Sequence, residues 1–347
     1  MRGVSFGGNR SIAMIEVDDP TPGPGEAVIA MKASGMCGSD LHYYRSASGS
    51  GGPVATESDA GPVIAGHEPA GEVVAVGAGV AKGDAHVGMR AMVHHYWGCS
   101  SCEHCRSGWA QMCTEVPPKI YGVNSHGGHA PYLKVPARTL VPLPEALSFA
   151  AGAAISCGTG TAYFALKRMG LSGRDTIAIF GQGPVGLAAT QLAVAQGARV
   201  IAVDISRERL EQARGLGAWH AIDPNETDPV EAIRELTGGG AEMAMDTSGV
   251  TAVRTQAVRC VRQWGTVGLV GAGGELQVAI ADIMRKQVTI MSSWTFPNVG
   301  QAECAEFVAD RGVNVEAVFT HRWRLDQADE AYRLFDQQKT GKGVFLF

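Results

Sequence analysis

The 347 residues hold no dense run of lysine or arginine, carry a formal net charge of -5 and are only 18% charged. A chain without a basic patch lacks the electrostatic footprint that nucleic acid or an anionic membrane surface selects, so neither is expected as a partner. Nor does any segment approach about 18 uninterrupted apolar residues, the length a membrane-crossing helix needs. The opening residues, MRGVSFGGNRSIAMIEV, lack a continuous apolar core and reach Glu16 early, which predicts a cytoplasmic protein rather than an exported one. Cysteine is scarce outside one segment: four of the eight thiols fall within the fifteen residues CSSCEHCRSGWAQMC, from Cys99 to Cys113. In a reducing compartment such thiols are more often metal ligands, catalytic groups or apolar fillers than disulfides.

What is present is ample material for two cores, with 45% hydrophobic residues in a chain longer than one core usually serves. Residues 1 to about 155 are rich in glycine and proline, with short β-type runs between turn signals, which predicts a small barrel or irregular sheet. Within them Ser46 to Gly61 has the composition of a loop. From about 158 apolar strands alternate with amphipathic helices, the pattern of a parallel sheet built from βαβ units. After about 293 the text is mixed again, with a helix at LDQADEAYRLFDQQ and a last strand in GVFLF. No internal repeat of fixed period is visible.

Phe180 ends one of the apolar strands, and Gly181-Gln-Gly183-Pro184-Val185-Gly186 then opens a helix. In that pattern the first glycine permits a tight turn, the second lets a pyrophosphate approach the backbone, and the third allows close packing of helix on strand. A free helix N-terminus faces the anion. Asp204 ends the next strand eighteen residues after Gly186, where a carboxylate can accept hydrogen bonds from ribose hydroxyls and repel a 2′-phosphate. The alternative is that Asp204 only caps a helix. Arg207 and Arg209 follow and could tolerate a phosphate, so NAD over NADP is a preference and not a rule.

Cys99, Cys102, Cys105 and Cys113 have the spacing C-x2-C-x2-C-x7-C, short enough for one loop to wrap four thiolates around a tetrahedral ion. Zinc suits that geometry, and a closed four-sulfur site is structural. An iron-sulfur cluster and disulfides are the alternatives. Cys37, Cys157 and His67 are candidates for a second, catalytic site with an open position. Their separations along the chain prove nothing, since a buried cysteine is usually a filler and a histidine between glycines can simply satisfy a turn. Cys260 and Cys304 read as fillers.

The order of these motifs along the chain, GMCGSDLH, GHEPAGEV, the four-cysteine loop, GGHAPYLKVP, CGTGTAY, GQGPVG and VIAVD, resembles the zinc-dependent medium-chain alcohol dehydrogenase family over essentially the full length. The resemblance implies an α/β protein. Residues 1–157 and 293–347 would form a catalytic chaperonin-10-like (GroES-like) β-barrel domain, and residues 158–292 a Rossmann domain, a doubly wound parallel sheet that binds NAD. It implies two zinc ions per chain, the catalytic one on Cys37, His67 and Cys157 with Glu68 beside it as an exchangeable ligand, and the structural one on the four-cysteine loop. Asp40 would orient the ligating histidine, and Ser39 and His42 would carry the alcohol proton outward. Thr161 would pack near the nicotinamide and Lys342 near the cofactor phosphates, with Gly181, Gly183, Pro184, Val185, Gly186, Asp204 and Arg209 completing the cofactor site.

The implied activity is hydride transfer between an alcohol, or its aldehyde or ketone, and NAD(H), in a homo-oligomer, tetramer or dimer by family habit. Two positions pull toward different branches. Gly38 is usual in polyol and other bacterial members, whereas the thiol at Cys157 is that of alcohol dehydrogenases proper. A polyol, sugar or amino-alcohol dehydrogenase on the same scaffold is therefore the alternative. A relative that binds dinucleotide without chemistry would lack a ligand or relay residue, and none is missing. The run Val93-His94-His95-Tyr96-Trp97 falls where this family lines its substrate pocket, and Trp294 and Phe296 could add apolar wall. Such a pocket admits a primary or secondary alcohol with a polar substituent.

Overall fold

The computed structural model describes residues 1–47, 61–337 and 341–347; the loop expected at Ser46 to Gly61 falls almost wholly outside the described residues. The chain divides into two compact units, Met1–Cys157 with Phe296–Phe347, and Gly158–Thr295. The return to the first unit comes three residues later than the expected 293, because Ser293 still donates its N–H to the Leu269 carbonyl at 2.9 Å.

In chain order, the strands that build the two large sheets begin with Glu26–Gly35 (β1), Glu68–Val76 (β2), Arg90–Val93 (β3), Tyr132–Pro136 (β4) and Leu140–Pro142 (β5). Thr176–Phe180 (β6), Arg199–Val203 (β7), His220–Ile222 (β8), Ala241–Asp246 (β9), Val261–Leu269 (β10) and Thr289–Ser292 (β11) follow, and Phe319–Trp323 (β12) and Lys342–Leu346 (β13) close the chain.

The first unit contains the sheet β12-β13-β1-β2-β3-β5, with β4 paired to β1 on its other edge. β1 alternates: Ala27, Ile29 and Met31 enter one core with Leu133 and Val135 of β4. That period of two, with register shifts at Val28/Ile29 and Met31/Ala33, bends the sheet as a barrel requires. Register also brings site residues together, because Gly35 at the end of β1 stands opposite Glu68 at the start of β2. Cys37 and His67, just beyond those two residues, are thereby neighbours.

In the second unit every strand of the order β8-β7-β6-β9-β10-β11 runs parallel. All five residues of β6, TIAIF, are buried, as expected of a strand covered on both faces. Helix Pro184–Ala195 starts with proline at its first turn and stops before Gly197, whose φ is 88°. This is the doubly wound Rossmann order, which reverses between β6 and β9. Among the described residues, Phe149–Met169 is the one helical stretch long and apolar enough to cross a membrane, and at 78% buried it is a core helix.

Candidate active site and metal centres

After β1 the chain turns at Met36–Ser39 into helix Asp40–Arg45 (α1), and the Cys37 N–H donates to Asp40 Oδ2 at 2.8 Å. Cys157 comes from a different device. It lies in a single π-helical turn, Ile155–Thr159, inserted between helices Phe149–Ala154 and Gly160–Met169. Such inserted turns recur at functional positions because they re-aim one side chain. Cys37, His67, Glu68 and Cys157 then offer ligand atoms that all lie within 4.8 Å of one another. The two sulfurs stand 3.9 Å apart, too far for a disulfide. Two thiolates on one tetrahedral zinc are separated by about 3.8 Å, so the donor set and its spacing fit that ion.

Electrostatics agree with a cationic occupant. Cys37 has its pKa held well below the usual thiol value by the hydrogen bond from Cys157, and Cys157, as donor, is pushed up. Burial opposes charge on His67, but the Asp40 carboxylate and the Cys37 sulfur outweigh it and raise its pKa. Asp40 Oδ1 lies 2.9 Å from His67 Nδ1, leaving Nε2 as the ring atom free to ligate. Ser39 Oγ lies 3.3 Å from that Nε2. His42 is exposed on α1, edge-on to Tyr43, and its side chain makes no hydrogen bond to Ser39.

The second constellation is the loop itself. Cys99, Cys102, Cys105 and Cys113 converge, with sulfur separations of 3.9 Å for Cys99–Cys105 and 4.0 Å for Cys102–Cys113, again the spacing of a tetrahedral ion. The Ser101 and Cys102 N–H groups point at Cys99 Sγ, at 3.4 and 3.3 Å, which favours its thiolate. Among the described residues no disulfide forms, and Cys260 and Cys304 are buried as fillers.

Lys342 requires a correction. The resemblance implies a lysine near cofactor phosphates, but its side chain is 2% exposed and its ammonium is bound to Glu68 Oε1 at 2.7 Å and the Met36 carbonyl at 2.9 Å. Register explains it, since β13 pairs with β1 at Val344–Gly35 and β1 with β2 at Gly35–Glu68. Lysine and carboxylate therefore meet behind the thiols. Burial raises the Glu68 pKa to about 8 against the opposing pull of Lys342.

In the second unit, Gly181 adopts φ 85°, and a Cβ at Gly186 would overlap the Gly181 carbonyl oxygen, so the turn admits only glycine at both places. Asp204 accepts from the Gln182 N–H at 2.5 Å and the Ser206 N–H at 2.8 Å, while Ser206, not Asp204, caps the following helix. Its carboxylate thus braces the glycine turn and keeps lone pairs to spare. Arg209 Nη1 is 4.0 Å from Asp204 Oδ2, and Thr161 is half-buried in the first turn of its helix.

Around the thiol cage, His95 is buried with its ring 5.3 Å from that of His67, and its Nδ1 lies 2.9 Å from the Ser156 carbonyl. A carbonyl only accepts, so Nδ1 carries the proton and Nε2 keeps a lone pair. His94 is held between the Tyr96 and Phe296 carbonyls, and Phe296 packs on both histidines. Trp294 belongs to the second unit and is 54% exposed. Tyr332, a buried residue that no local motif marks, reaches Asp40 from the far side, and His129 of the GGHAPYLKVP stretch backs it.

A Rossmann nucleotide turn, a thiolate–imidazole cage and a four-thiol loop define a zinc-dependent dinucleotide oxidoreductase. Residues 23–145 match the alcohol dehydrogenase GroES-like domain and residues 184–311 the zinc-binding dehydrogenase domain. YphC of Escherichia coli (strain K12), described as an uncharacterized zinc-type alcohol dehydrogenase-like protein, is 39% identical over 345 residues, 98% of this chain and 97% of its own. L-galactonate-5-dehydrogenase of the same organism is 30% identical, covering 94% of each chain. The solved structure of alcohol dehydrogenase TADH from Thermus sp. ATN1 superposes with a TM-score of 0.89 at 29% identity, covering 100% of this chain and 99% of that one. The chain belongs to the zinc-dependent medium-chain alcohol dehydrogenase family. It is an oxidoreductase that uses zinc and NAD(H) to interconvert an alcohol and its carbonyl.

Proposed function

We propose that the substrate is an alcohol bearing a second polar group close to the reacting carbon, and that Cys37, His67 and Cys157 hold the catalytic zinc with Glu68 as an exchangeable ligand. The observation that carries the substrate reading is His95, whose proton is committed to the Ser156 carbonyl while its ring lies beside the ligand His67. Its free lone pair would accept a hydrogen bond from a neighbouring hydroxyl or ammonium. The relative that by its name acts on L-galactonate supports the same chemistry.

When bound, zinc supplies a Lewis acid that lowers the pKa of the alcohol, and NAD+ supplies the hydride acceptor. The chain's own residues do the rest. Ser39, beside His67 Nε2, is placed to take the alcohol proton, and exposed His42 to release it to solvent. Gly181, Gly183, Pro184, Val185 and Gly186 receive the pyrophosphate, Asp204 the ribose hydroxyls with Arg209 beside it, and Thr161 the nicotinamide. The four-thiol loop of Cys99, Cys102, Cys105 and Cys113 takes the structural zinc. In this reading the unit made from both chain ends is catalytic and Gly158–Thr295 binds the cofactor.

The reading extends to a cytoplasmic homo-oligomer. Eight thiols without a disulfide suit a reducing compartment. Exposed Trp264 on β10, which pairs with the edge strand β11, and exposed Ile280 and Met284 on the helix that precedes β11 in the chain suit burial against a second copy. Light scattering should give a dimer or tetramer, and a monomer would contradict that part.

The substrate reading is tested by following NADH formation with simple alcohols, polyols and threonine, for wild type and His95→Phe. Substrates with a second polar group should be preferred, and that preference should fall by about tenfold in the variant, the worth of one hydrogen bond. Uniform loss across the panel, or none, would refute the role of His95.

A further inference from the structure

The ion pair between His67 and Asp40 is the near end of a longer buried chain. Asp40 Oδ2 accepts from the Tyr332 hydroxyl at 3.2 Å; Tyr332 Oη lies 2.8 Å from His129 Nε2; His129 Nδ1 lies 2.8 Å from Ser34 Oγ. Ser34, His129 and Tyr332 are fully buried and Asp40 is 1% exposed. The space for the imidazole is reserved: a Cβ at Gly66, whose φ is 92°, would overlap His129 Nδ1.

The direction of every bond can be assigned. Burial lowers the His129 pKa to about 4, so the ring is neutral and carries one N–H. Because Tyr332 spends its proton on Asp40, its oxygen accepts, and the His129 proton sits on Nε2. His129 Nδ1 then accepts from the Ser34 hydroxyl. All donors run toward one acceptor, the Asp40 carboxylate, which also takes the Cys37 N–H and stands 2.9 Å from His67 Nδ1 as its ion-pair partner. The path ends at a buried serine and offers no exit, so it holds a geometry and does not conduct the substrate's proton.

We propose that Tyr332, backed by His129 and Ser34, is a positioning residue for the catalytic zinc: it fixes the Asp40 carboxylate and, through it, the tautomer and aim of His67. This rests on the cage of Cys37, His67 and Cys157 proposed above. Partners that orient a ligating histidine typically change metal affinity or activity by about 10- to 100-fold when removed.

Zinc-loaded wild type and Tyr332→Phe, a change that keeps the ring, are mixed with excess chromophoric chelator, and release is resolved into two phases. Cys37→Ser and Cys105→Ser identify which phase belongs to which site. The phase missing in Cys37→Ser should quicken about tenfold in Tyr332→Phe, with the four-thiol phase and NADH affinity unchanged. The visible bands of the cobalt(II)-substituted enzyme should shift with it. Ser34→Ala, which removes only the far donor, should quicken the same phase less, and it decides the matter if the phenylalanine variant does not fold. An unchanged phase, or equal acceleration of both, would overturn the role of Tyr332. A Cys37→Ser protein that still holds two zincs would instead overturn the cage reading itself.

Discussion

Cys37 and Cys157 stand 120 residues apart in sequence and 3.9 Å apart in space. If they and His67 hold the metal that activates the alcohol, Cys37→Ser should abolish turnover while NADH binding, followed by fluorescence, stays within about twofold. Near-normal activity would refute the assignment. His129 carries a pH prediction of its own. Its pKa is about 4 in the fold against an ordinary 6.5, so the unfolded chain binds the proton first as pH falls. Stability from this group is therefore intact above about 6.5 and is lost as pH drops toward 4, by up to about 1.4 kcal/mol per unit. His129→Gln should show a shallower decline of melting temperature between about pH 6.5 and 5, and parallel curves would contradict this. At this scale sequence reading is strongest where ligands are local. The orienting Asp40 lies three residues from Cys37 and could be inferred, whereas Lys342 could not be placed, because its partner is decided by the pairing of three strands. Tyr332 is hidden for the same reason: in sequence it is one aromatic residue on an amphipathic helix.

Among the elements, the glycine turn and the four-thiol loop are legible because each is complete within a few residues. Gly181 needs φ 85° and Gly186 needs an absent side chain, requirements that a motif records directly. Gly186→Ala should push the helix start off the turn, raise the NADH dissociation constant about tenfold and cost roughly 1–3 kcal/mol, the range for overpacking; unaltered binding would count against the turn as the pyrophosphate site. In the loop, Cys105→Ser removes one corner of a closed tetrahedron. Zinc content should drop from two to one per chain and the melting temperature by on the order of 5 °C, as calorimetry with metal analysis would show. The π-helical turn that presents Cys157 was not legible, since the weak helix formers of Ile155–Thr159 mark a break in the helix without saying which kind. Tertiary demand at the thiol decides it.

At the scale of the whole molecule, alternating strands and helices from 158 onward announce the parallel sheet, while its reversal between β6 and β9 is set by the long connection from β8 back to β9. From its own residues the first unit was legible as a glycine- and proline-rich small barrel or irregular sheet, and only the family resemblance joined the two chain ends, because its pairing brings Lys342–Leu346 to Glu26–Gly35 across most of the chain. The central claim at this scale is that one cage of Cys37, His67 and Cys157 carries the chemistry while a separate loop of thiols carries only stability. Its most direct test is zinc content followed alongside turnover during stepwise chelation of the purified enzyme. Two zincs per chain are expected, with activity disappearing in step with removal of the one at the Cys37 site while NADH still binds. Full activity in protein freed of all transition metal would contradict it.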